Sequence, residues 1–99
     1  MNKIKELKKY RRLTNEEISQ ILAMDHGFYY SKSTISRWIN GDIRCPESII
    51  TILSGQDLFG TTNEYLGDLF DEVYYDKRMS KIRKTAISIT IDLAEEPNE

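Results

Sequence analysis

The residues with most chemistry to offer lie in one short run, Ser31-Lys32-Ser33-Thr34-Ile35-Ser36-Arg37-Trp38-Ile39, closed by Asn40-Gly41. Lys32, Ser33, Thr34, Ser36 and Arg37 all carry hydrogen-bond donors, and no acid interrupts them. Donors of this kind on one helix face suit the acceptors that base edges and phosphates present in a DNA groove. Nothing comparable points to catalysis. The chain has no Gly-rich phosphate loop, no nucleophile beside a histidine, and no carboxylate pair on one expected face of a cleft. His26 is the single histidine and Cys45 the single cysteine, which excludes an intramolecular disulfide and a cysteine-ligated zinc site. The expectation is a protein that is not an enzyme, with no metal and no cofactor.

The run must be held by a helix, and its ends are marked. Ser31 can accept from the free amides of a first turn, and Gly41 can take the left-handed conformation that ends a helix. Ile35, Trp38 and Ile39 fall at i, i+3 and i+4, one apolar stripe opposite the donors. Two readings of this helix alone stand side by side. It is a groove-binding helix, or it is a capped core helix whose outer face happens to lack acids.

Charge helps to choose. The 99 residues are 39% hydrophobic and 30% charged, ordinary globular material with a net charge of −2. Residues 1–55 hold nine Lys/Arg and six Asp/Glu, giving +3, whereas residues 56–99 hold five and ten, giving −5. A basic half beside an acidic half fits a nucleic-acid-binding region with an acidic remainder. No apolar run approaches the roughly 18 residues that span a membrane. The opening Met-Asn-Lys-Ile-Lys-Glu lacks the apolar core of a signal peptide. The expected compartment is the cytoplasm, with no membrane partner.

Along the chain, residues 2–12 predict a basic first helix with Ile4 and Leu7 on its apolar side and Lys8 and Arg12 among its cations. Thr14 and Glu17 have capping-box spacing, and Leu13 and Ile18 are placed for a hydrophobic staple. The second helix carries Ile18, Ile21 and Leu22 inward and should end near Ala23 or Met24. In the connection, Gly27 suits a turn, His26 reads as a loop histidine, and at least one of Phe28, Tyr29 and Tyr30 should pack inward. Residues 42–47 form a loop. Pro46 suits the first turn of a greasy helix that Gly55 stops, with Ile49, Ile50 and Leu53 buried. Cys45 is most simply a packing residue.

Together these landmarks resemble the Cro/repressor-like helix-turn-helix domain of phage repressors and related bacterial regulators. The likeness rests on Ile4-Lys5-Glu6-Leu7, Leu13-Thr14-Asn15-Glu16-Glu17-Ile18, Ser31 to Trp38, Asn40-Gly41 and Pro46, and covers about residues 1–55. It departs at Asn15, where the family usually has glutamine, and at Ser19, where it has alanine. The turn within the motif is also about six residues longer than the usual tight one. A long turn of this kind also resembles helix-turn-helix domains of serine recombinases and transposases. The resemblance implies that Lys32, Ser33, Thr34 and Arg37 face base edges in double-stranded DNA. Asn15, Ser31, Asn40, Lys8 and Arg12 would then hold phosphates.

Residues 56–99 lie beyond the likeness. Thr61 and Glu64 have capping-box spacing, and Tyr65, Leu66, Leu69, Phe70, Val73 and Tyr74 recur as one side of a sharply amphipathic helix. Because residues 1–55 already own a core, this stripe is expected to join two copies or to meet another protein. Lys77-Arg78-Met79-Ser80 reads as a break. Over residues 80–94, Ile82, Ala86, Ile89 and Leu93 follow helical spacing while Ile87, Ile89, Ile91 and Leu93 alternate as in a strand, with helix slightly favoured.

The expected molecule is a mainly α, small helical bundle. Residues 1–55 form its DNA-binding domain, residues 56–94 a dimerisation or partner-binding region, and residues 95–99 a tail. The expected function is a sequence-specific transcriptional regulator, a phage or mobile-element repressor that reads an inverted repeat as a homodimer. Two rivals remain open: an inhibitor or antitoxin that uses the same scaffold on a protein partner, and the DNA-binding part of a recombination or excision system.

Overall fold

Five helices build a mainly α fold in the computed structural model, which describes the backbone of residues 2–95 and the side chains of residues 2–81. They are α1 (Lys3–Tyr10), α2 (Asn15–His26), α3 (Lys32–Asn40), α4 (Glu47–Leu53) and α5 (Asn63–Glu95). No strand occurs among the described residues, and none of their helices is long and apolar enough to cross a membrane.

Local signals start and stop most of these helices. Asn2 caps α1, its side chain accepting from the amides of Ile4 at 3.0 Å and Lys5 at 3.1 Å. Thr14 and Glu17 form a reciprocal capping box on α2. That helix continues past Ala23 to His26 and ends where Gly27 takes φ +74°. Two helical residues beyond Met24 shorten the expected connection and place His26 in the last helical turn rather than in a loop. The remaining connection, Gly27 to Ser31, is fastened at both ends. The Phe28 amide donates to the Leu22 carbonyl at 2.9 Å, and the Ser19 hydroxyl donates to the Tyr30 carbonyl at 2.5 Å.

The α5 start is one residue later than capping-box spacing suggests. The Thr62 hydroxyl, not that of Thr61, accepts from the amide three residues on, that of Tyr65. Thr61 is drawn into the preceding loop, where its own amide donates to the Ser54 carbonyl. There is also no break at residues 77–80, because α5 runs unbroken to Glu95. Residues 80–94 are therefore helix. The Ile82–Leu93 stripe lies outside the described side chains, and residues 96–99 of the tail lie outside the described residues.

All five helices share one core, so a boundary at residue 55 does not divide the molecule. Ile4, Ile18, Leu22, Ile35, Trp38, Ile49, Ile50 and Leu53 form a single cluster with Leu58, Phe59, Leu66, Leu69 and Phe70. This corrects the role expected for the α5 stripe. Leu66, Leu69 and Phe70 are 0%, 6% and 4% exposed within one chain, closing its own core. They are not free to join two copies. Tyr65 is exposed, and Val73 and Tyr74 are half-buried against the α3–α4 side of the body. The reason is that the first four helices are too short to cover one another. A small domain leaves a large share of its surface open, and α5 supplies the missing wall.

Candidate nucleic-acid interface

The core decides which way α3 faces. Ile35, Trp38 and Ile39 are buried, and the Tyr30 ring meets Trp38 edge-on at 4.8 Å. That leaves Lys32, Ser33 and Arg37 exposed on the outer face, with Thr34 and Ser36 half-buried at its margins. Ser33 and Arg37, four residues apart, stand one above the other on that face.

The two ends of α3 are fixed differently. At its start, the Ser31 hydroxyl accepts from the Thr34 amide at 3.2 Å and lies 3.1 Å from the Thr34 hydroxyl. Thr34 is thus partly committed to the cap. At its end, Gly41 adopts φ +81°, and a Cβ there would run into the Val73 carbonyl oxygen of α5. The Asn2 side chain donates to the Ile39 carbonyl at 2.7 Å, tying α1 to the same end. A helix held at both ends presents its donors without a large ordering cost on binding.

The expected phosphate contacts separate into two groups. Lys8 of α1 and Asn15 at the start of α2 come together, the ammonium donating to Oδ1 at 2.8 Å. Burial, then the nearby Lys5, pulls the Lys8 pKa below its ordinary 10.5. One of its three donors is used, leaving others for a phosphate. Arg12 is exposed close by in sequence, with φ +58°. Asn40 lies at the other end of α3, where its amide donates to the Ser36 hydroxyl at 3.3 Å. It lines a shallow cleft with Asn2, Val73, Asp76, Lys77, Ser80 and Lys81.

Lys32 has an acid within reach that its own helix lacks, Glu16 of α2 at 3.9 Å. Both side chains are well exposed, and such a pair contributes little. Lys32 therefore remains able to turn toward a ligand. Arg37 takes part in none of the three ion pairs among the described residues.

Several positioning residues carried no local signal. The Arg11 guanidinium donates to the carbonyls of Leu58 at 2.9 Å and Gln56 at 2.5 Å, joining α1 to the loop before α5. Arg44 reaches Asp71 at 2.9 Å and the Tyr75 hydroxyl at 3.2 Å, and lies over the Tyr74 ring. Cys45 is a buried packing residue, its thiol pushed up to about 12 by that burial. Comparison with protein-family models, curated proteins and solved structures gave no match.

Proposed function

We propose that this chain is a sequence-specific DNA-binding transcriptional regulator, a repressor of phage or mobile-element type that reads an inverted repeat as a dimer. The observation that carries the reading is the division of α3. Its Ile35, Trp38 and Ile39 are sunk in the core while Lys32, Ser33 and Arg37 are exposed as donors. In the major groove, Arg37 and Lys32 suit guanine O6 and N7, and Ser33 suits several bases. Lys8, Asn15, Arg12 and Ser31 would fix the register by holding phosphates at the start of the helix, with Asn40 doing so at its end.

The test is selection from a pool of randomised duplexes, followed by a salt titration of the recovered site. Enrichment of an inverted repeat, and affinity that falls steeply with salt, are the expected results. No enrichment, and no binding at low salt, would reject the reading. A second reading has one observation in its favour. The groove between α4 and α5, about 360 Å³, gathers Glu47, Glu64, Asp68 and Asp71. Carboxylates so grouped suit a basic protein partner, as for an inhibitor or antitoxin. That reading requires the chain to ignore duplex DNA even at low salt.

A further inference from the structure

The connection between α2 and α3 holds an aromatic residue that the core does not use. Tyr30 turns inward against Trp38, whereas Tyr29 beside it is 84% exposed. The exposure is not that of a loose loop. Phe28 is fastened to Leu22 through its amide and Tyr30 to Ser19 through its carbonyl. Tyr29 is thus presented from a short bridge with both neighbours tied. It stands two residues before Ser31, the cap of α3, and two residues of chain span at most about 7 Å. Asp25 is exposed one turn earlier, on α2. It repels phosphate there, which leaves the Ser31 side of the bridge for any contact with a DNA strand. Lys32, next after the cap, supplies attraction on that side.

We propose that Tyr29 is a DNA-backbone contact, its phenol hydroxyl donating to a phosphate oxygen on the strand that borders the start of α3. The proposal rests on the DNA-binding reading above. Tyrosine is among the side chains that donate to phosphates and fix register without reading sequence. The tied bridge means little freedom is lost when the contact forms. The longer connection between the motif helices then has a use, extending the footprint by one phosphate beyond what α3 reaches.

Binding of the full chain to a mixed-sequence duplex of about three helical turns, and to a site recovered by selection, tests this. Tyr29→Phe keeps the ring and removes only the hydroxyl. It should weaken binding to both duplexes by about three- to tenfold, with the melting temperature unchanged. Tyr29→Ala should lose at least as much. Wild-type affinity in the Tyr29→Phe chain overturns the contact while leaving the DNA reading intact. Failure of the wild-type chain to bind either duplex at low salt rejects the DNA reading, and this contact with it.

Discussion

Arg37 and Lys8 are both exposed enough to meet DNA, but they would meet different parts of it. Arg37 points from the outer face of α3, so Arg37→Ala should cost about 1–3 kcal/mol on the selected site and little on random duplex. Lys8 sits on α1 and holds Asn15. Its loss should weaken all sequences alike and flatten the salt slope. Equal effects of the two changes on cognate and random DNA would mean that α3 does not read bases. At this scale the sequence was informative wherever the signal was local. Thr14 and Glu17 bond each other across one turn, and their spacing alone implied it. Thr61 and Glu64 have the same spacing, yet Thr62 caps α5. Two contacts from Ser54 decide that: its carbonyl accepts from Thr61, and its hydroxyl bonds Asn63 at 2.5 Å. Neither contact is visible in a local pattern.

At the scale of elements, the α3–α5 joint fixes the end of α3, and Gly41 is its centre. Gly27 and Gly41 both have positive φ, so a side chain costs about 1–2 kcal/mol at either. Around Gly27 there is nothing within 4 Å, whereas a Cβ on Gly41 meets the Val73 backbone. Gly41→Ala must also displace α5, adding about 1–3 kcal/mol as for overpacking. Chemical denaturation should therefore find Gly41→Ala the more harmful by that margin. Equal losses at the two glycines would remove the close approach of α3 and α5. The same joint has an ionic part, Lys77 to Asp42 at 2.5 Å. The Lys77 hydrogen bond, aided by the charges of Lys77, Lys81 and Arg37, holds the Asp42 carboxyl below its ordinary 3.8 against a smaller opposing effect of desolvation. A folded value below the unfolded one stabilises at pH above 3.8, and that contribution is lost as pH falls through the folded value. Asp42→Asn should accordingly flatten the acid limb of stability against pH; an acid limb matching wild type would count against the pair. Lys77 reads as part of a break because Lys77, Arg78 and Ser80 put three polar or basic side chains into four residues. In the structure α5 runs through it, and its ammonium reaches Asp42 beyond the end of α3.

For the whole molecule, the apolar stripe of α5 was legible but its partner was not. Periodicity says that Leu66, Leu69 and Phe70 share a face, not what covers it. Here the body itself covers them, so Leu69→Asp with Phe70→Asp would break the core rather than release monomers. Residues 1–55 alone would likewise lack Leu58, Phe59 and the α5 wall. A dimer that reads an inverted repeat, as proposed, would then be joined elsewhere. A helix of 33 residues is about 50 Å long, while the molecule measures 63 × 23 × 21 Å. Beyond Lys81, α5 continues for about four turns. Met79, exposed, begins a 3-4-3-4 spacing through Ile82, Ala86, Ile89 and Leu93, the repeat of a two-helix seam. We expect the intact chain to dimerise through this distal part. A chain ending at residue 81 keeps every core residue among those described, so it should fold as a monomer and bind one half-site weakly. Light scattering at micromolar concentration reads the outcome directly. A shortened chain that is still dimeric would move the joint back onto the body. An intact chain that is monomeric would leave each copy to read its half-site alone.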